Sequence, residues 1–209
     1  MFRGSDLLPL GLALFVLSAA KSDEPAQPKA PALPSGRGAF EVPRTKTGGQ
    51  PLPQWFGERF RLALEVLTPN VVNATPEHVR QIALSVVAQW AHETGRGRAE
   101  FNFNLGGWRA RKTDPYFVAR DVQTGAELYR WTAYPDLPNA VHDQLRRLHD
   151  RFSSAWALLL AEPNSSRWIE ELGRKGYYVA PKGTSQAQHI QNYARAWATN
   201  RAELGALAA

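Results

Sequence analysis

Glu93 is the residue whose type and place most clearly point to chemistry. Apolar residues recur at 79, 82, 86 and 90, the spacing of one helix face. One further step of three reaches Glu93, just ahead of glycines at 95 and 97. A carboxylate on that stripe, in a last turn whose unpaired carbonyls carry the negative end of the helix dipole, is penalised twice in its ionised form. Its pKa is expected to rise, and a carboxyl that keeps its proton near neutral pH can hand it to a leaving oxygen. Glycoside cleavage needs such an acid. The plain alternative is a solvated glutamate paired with Arg96 or Arg98.

Other chemistries are narrower. The 209 residues contain no cysteine, which excludes a disulfide framework, a thiolate metal site and a cysteine nucleophile. His92-Glu93 lacks the second histidine of a His-Glu-x-x-His motif, and His142 and His149 lie seven apart with Arg146 between them. No metal and no cofactor are therefore expected. The formal charge of +6 favours a polyanionic neighbour: nucleic acid, an acidic membrane surface or an anionic cell wall. Gly107-Trp108-Arg109-Ala110-Arg111-Lys112 would suit a nucleic-acid patch, but a solvated loop is its ordinary explanation and no nucleic-acid partner is expected.

The elements that must position Glu93 follow from pattern. Phe56, Phe60, Ala63, Leu64 and Leu67 share a helix face, and Pro69 should end that helix. Thr75 can cap the next helix, Pro76 suits its first position, Glu77 its positive end, and the stripe carries it from 76 to about 94. Strand-forming residues flank Val122-Gln123-Thr124-Gly125 within 115–134, which predicts a β-hairpin turning at Gly125. Further helices are expected over 138–160, 165–173 and 185–203. The fold class is mainly α (α+β), with five helices around one small hairpin.

The domain should occupy 55–209, beginning near Trp55. Residues 21–54, rich in Pro, Gly, Ser and Lys, predict a flexible linker. Residues 7–20 are uncharged, Arg3 precedes them, and Ser18-Ala19-Ala20 offers a small-residue cleavage site, so residues 1–20 look like a signal peptide or a membrane anchor. Either would export the rest to the cell envelope, the periplasm or the outside, as a secreted, membrane-associated or virion-borne protein.

The order of motifs brings in a resemblance. Glu93-Thr94-Gly95-Arg96-Gly97, then Asn104-Leu105-Gly106-Gly107, then the hairpin with Asp121, Trp131-Thr132-Ala133-Tyr134, Gly176-Tyr177 and Tyr193-Ala194 resemble bacterial glucosaminidase-type peptidoglycan hydrolases, glycoside hydrolase family 73 and relatives in the lysozyme-like superfamily. The resemblance implies a lysozyme-like domain with Glu93 as catalytic acid and Asp121 as second carboxylate; Asp114 and Glu127 compete for the latter role. It implies substrate contacts at Asn104, Tyr134, Tyr177 and Tyr193, to which Trp108 and Trp131 add candidate platforms for a sugar ring. Core packing is the alternative for these aromatics. The implied partner is the peptidoglycan glycan strand. An endo-β-N-acetylglucosaminidase is favoured, with muramidase and lytic transglycosylase left open. The sequence departs from the pattern where glycine replaces the Phe of the turn, where Tyr178-Val179-Ala180 replaces Ala-Thr-Asp, and where Asp121 stands for the commoner glutamate. An inactive wall-binding module, or a membrane-tethered nucleic-acid-binding protein, would explain the same chain differently.

Overall fold

The computed structural model describes residues 39–208 apart from 121–123. In chain order these form α1 (Leu52–Asn70), α2 (Pro76–Glu93), β1 (Tyr116–Arg120), β2 (Glu127–Thr132), α3 (Leu137–Arg151), α4 (Ser153–Ala161), α5 (Arg167–Arg174) and α6 (Gln186–Ala208). The fold is mainly helical, with one small antiparallel hairpin. Among the described residues no helix is long and apolar enough to cross a membrane.

The hydrophobic core is built around α2. Every residue from Ile82 to Ala91 is buried, a whole circumference rather than a stripe, because α1, α4 and α6 all pack against it. Its start follows its sequence: Thr75 Oγ1 accepts from the His78 amide at 3.2 Å, and Pro76 opens the first turn. Its end is a sharp reversal through Gly95, Arg96 and Gly97, with φ of 55°, 60° and 79°. Gly97 is required twice over, since a Cβ there would lie 2.4 Å from Trp55 Cδ1.

Glu100 locks that reversal. Its fully buried carboxylate accepts from Trp55 Nε1 at 2.8 Å, from Arg59 Nε and Nη2 at 3.1 and 2.7 Å, and from Thr47 Oγ1 at 3.1 Å. The Arg59–Glu100 pair joins two side chains with no solvent exposure. Such a pair is tolerated because added hydrogen bonds satisfy the carboxylate.

In the hairpin, Tyr116 pairs with Thr132, Phe117 with Trp131 and Ala119 with Tyr129, and the register shifts between Ala119 and Arg120. Gly125 has φ 69°, as the expected turn requires.

Three expectations are corrected. The helix expected over 138–160 is two helices, α3 and α4, broken at Phe152, whose φ of −131° leaves the helical region. The break turns the Phe152 ring inward, 5.4 Å from Tyr177 and 6.1 Å from Trp108. Pro69 lies inside the last turn of α1, which ends one residue later. The linker assignment of 21–54 reaches too far: Val42 donates to Tyr116 O at 2.8 Å, the Tyr116 amide donates to Phe40 O at 3.1 Å, and Asn102 N to Thr45 O at 2.8 Å. The folded part therefore includes residues 39–51, and not only those from Trp55 onward. The rest of that segment and the assignment of residues 1–20 lie outside the described residues.

Candidate active site

A loop after the reversal brings two glycines to Glu93. Asn104 holds the loop closed, its Nδ2 donating to Trp108 O at 2.9 Å and Thr132 O at 3.1 Å while its Oδ1 accepts from Trp108 N at 2.9 Å. The Thr132 amide donates to Trp108 O at 2.9 Å and the Ala110 amide to Arg130 O at 3.0 Å, fastening the loop along β2. A Cβ on Gly106 would come 2.3 Å from Gln144 Oε1, 2.8 Å from Trp108 Nε1 and 2.9 Å from Tyr177 OH, so a side chain there would displace these groups. Gly107, at φ 60°, is placed so that a Cβ would lie 3.4 Å from Glu93 Oε2 and 3.8 Å from the Trp131 ring.

The other oxygen of Glu93 faces inward. Oε1 accepts a short hydrogen bond from Tyr193 OH and a long one, 3.4 Å, from Gln89 Nε2. The same Gln89 nitrogen donates to Tyr177 OH at 2.9 Å and Tyr193 OH at 3.3 Å, and Tyr177 OH donates to Gly106 O at 2.7 Å. Behind this cluster Tyr178 stacks on Tyr193 with ring centres 4.1 Å apart, and His92 lies against the other part of the same ring at 4.0 Å. Glu93 keeps part of its surface open, yet burial pushes its pKa up to about 7, against the lowering effect of the Tyr193 and Gln89 hydrogen bonds. Burial also holds the Tyr177 and Tyr193 phenols far above the usual tyrosine range, so both stay protonated and can donate. The His92 imidazole moves the other way, lowered first by burial and then by His189.

Arg96 and Arg98 do not pair with Glu93. Arg96 bonds Asn200 Oδ1 at 3.1 Å and Glu203, and Arg98 Nε donates to Gly95 O at 3.1 Å. A cavity of about 270 Å³ lies beside these arginines, lined also by His92, Thr199 and Asn200, but Glu93 does not border it.

The remaining candidates divide. Tyr193 bonds Glu93 directly, Tyr177 is joined to it through Gln89, and Trp131 lies beside Gly107. Arg109 already covers both Trp131 and Tyr129, its guanidinium carbon 4.4 and 3.4 Å from the ring centres. Trp108 is buried in the core, its indole N–H donating to Gln144 Oε1. As a sugar platform it is therefore corrected to a packing residue. Asn104 is likewise a loop fastener, because both its amide donors and its oxygen are used internally. Tyr134 donates to Asp143 Oδ2 at 2.8 Å, which places it in a separate charge cluster. Asp114 belongs to that cluster: Arg147 Nη2 at 2.8 Å and Arg111 Nε at 3.1 Å hold it, and despite burial these hydrogen bonds and charges keep it below the usual carboxylate range. Glu127 pairs with Arg130 at 2.6 Å on the surface. Neither competitor approaches Glu93 as a hydrogen-bond partner, and Asp121 lies outside the described residues.

Gln89 and Tyr178 were missed by pattern. Gln89 had a signal, being one turn before Glu93 and, with Ser85, one of two polar residues in the buried run from Ile82 to Ala91. Tyr178 follows Tyr177 and shows nothing local. Among the described residues no three His, Asp or Glu side chains gather as a metal ion would require. Comparison of the chain with protein-family models, curated proteins and solved structures finds no match.

Proposed function

We propose that the chain is a peptidoglycan hydrolase with a lysozyme-like catalytic domain, cleaving β-1,4 bonds between amino sugars with Glu93 as general acid. One observation carries this: a carboxyl whose pKa is raised to about 7, with one oxygen held by Tyr193 and the other beside a residue that has no side chain. A protonated acid is available at neutral pH, and Gly107 brings backbone rather than a side chain against Oε2 of that acid. The motif order from Glu93 to Tyr193 adds the resemblance to glucosaminidase-type enzymes.

In the proposed reaction Glu93 protonates the departing glycosidic oxygen as the C–O bond breaks, and positive charge develops on the sugar. That charge is met by water activated by Asp121, by the substrate's own N-acetyl group, or by the muramyl 6-hydroxyl. With water the products are two saccharides. With the 6-hydroxyl, whose proton passes to the Glu93 carboxylate as the C1–O6 bond closes, the products are the released saccharide and one ending in an anhydro sugar, and the reaction is a transglycosylation.

Glu93→Gln tests the proposal. General acid catalysis contributes roughly 10²- to 10⁴-fold, so the variant should clear purified peptidoglycan at least about a hundredfold more slowly while melting as a folded protein. Clearing at the parent rate would reject Glu93 as the acid. Binding to peptidoglycan without cleavage by either protein would instead favour a non-catalytic wall-binding module.

A further inference from the structure

We propose that Gln89 is a positioning residue: by fixing the directions of the Tyr177 and Tyr193 hydroxyl protons, it makes Oε2 the proton-bearing oxygen of Glu93. The inference deepens the acid role proposed above and rests on it for its catalytic consequence, though not for its geometry.

Direction can be read from the acceptors. Gly106 O can only accept, so Tyr177 OH must donate to it across their 2.7 Å contact. The Tyr177 oxygen is then left as an acceptor, and the group facing it at 2.9 Å is Gln89 Nε2. The second N–H of Nε2 is shared between Tyr193 OH at 3.3 Å and Glu93 Oε1 at 3.4 Å. Tyr193, accepting from Gln89, has one proton to give, and Glu93 Oε1 receives it. Protonation of Oε1 would set a second hydrogen against that phenol's own. The acid proton therefore goes to Oε2, the oxygen 3.4 Å from where a side chain at Gly107 would begin.

The amide of Gln89 has a second orientation, with its oxygen towards the phenols. That orientation would set an acceptor against two phenols whose protons already go to Gly106 O and Glu93 Oε1, and every contact of Nε2 would be lost. The observed one leaves only Oε1 of Gln89 without a partner. One orphaned oxygen is what this orientation costs the fold.

Few other groups perturb the arrangement. Tyr193 meets Glu93 from α6, Tyr178 from the loop after α5 stacks on that ring, His92 lies against Tyr193 and His189 against Tyr178, and Gly107 approaches Oε2. Among the described residues no arginine, lysine or second carboxylate hydrogen-bonds to Glu93. When the proton leaves, the negative charge is shared into the Tyr193 hydrogen bond, and the Oε2 proton is the one a substrate oxygen takes.

The test uses the full chain and two variants, Gln89→Met and Tyr193→Phe, because either alone could disturb packing. Infrared spectroscopy of the protonated Glu93 carboxyl, identified by its disappearance in Glu93→Gln, reports the carbonyl stretch of Oε1. Loss of the Tyr193 donor should move that band to higher frequency in Tyr193→Phe, and Gln89→Met should move it the same way. Both variants should lower kcat about tenfold with KM unchanged, as expected for one lost charge-assisted hydrogen bond. The alkaline limb of the pH profile should shift to higher pH, because a donor to the ionised form has been removed. Slower variants with the parent's band and the parent's limb would overturn the proposal, since packing alone would then explain the loss. If Glu93→Gln cleaves at the parent rate while the band still moves, the acid role fails and the hydrogen-bond assignment stands.

Discussion

The Glu93 carboxyl is costly to ionise where it sits, and that cost is measurable apart from any substrate. Its folded pKa of about 7 lies above the ordinary 4.5. The folded protein therefore holds the extra proton between those values, and stability falls as pH rises through that window. Well above pH 7 the penalty approaches about 3 kcal/mol. Urea unfolding at pH 4 and pH 8 should show Glu93→Gln gaining about that much relative to the parent at the higher pH. An unchanged difference would place the carboxyl in an ordinary solvated setting. Gly107→Ala adds a second check at this scale: its Cβ would meet Oε2 at 3.4 Å on a backbone at φ 60°. It should slow peptidoglycan clearing about tenfold or more, with a stability cost of only about 1 kcal/mol. The raised pKa was legible in the sequence because stripe and helix end together fix where residue 93 points. Tyr177 and Tyr193 entered only through the resemblance, as substrate contacts rather than as partners of Gln89 and Glu93, since those bonds depend on α6 and the loop after α5 returning to the end of α2.

The elements hold this residue through contacts that pattern sees unevenly. The cap at Thr75 and the turn at Gly125 are local, so the residue types reveal them. The break at Phe152 has no glycine or proline to mark it, because distant rings, Trp108 and Tyr177, draw the phenylalanine inward. Glu100 is a comparable case, an acidic residue in an Arg- and Gly-rich loop that becomes the buried anchor of the turn ending α2. Removing its partner by Arg59→Met should cost about 3–5 kcal/mol, since a carboxylate is left buried without its counter-charge. Replacing both residues with apolar ones should cost less than the two single changes added together. A double-mutant cycle in urea checks both statements, and additive losses would mean that the pair is not coupled.

At the scale of the whole molecule, composition sets the domain start too late. A Pro- and Gly-rich stretch can still be ordered when its backbone pairs with an edge, as residues 40–47 do with 100–102 and 116. Hydrophobic periodicity cannot register that, because backbone groups rather than apolar side chains hold the segment. Limited proteolysis followed by mass measurement should give a resistant core that includes residues 40–47, and one beginning near Trp55 would contradict the packing described. The helical class and the hairpin follow from periodicity, and the candidate acid follows from one of those periods. The proposed activity, cleavage of a glycan strand, is what would join them. Mass spectrometry of purified peptidoglycan after digestion tests this most directly: the parent should release fragments with new reducing GlcNAc, reducing MurNAc or anhydro-MurNAc ends, and Glu93→Gln should release almost none. No new saccharide ends from the parent, or equal amounts from both proteins, would contradict the account.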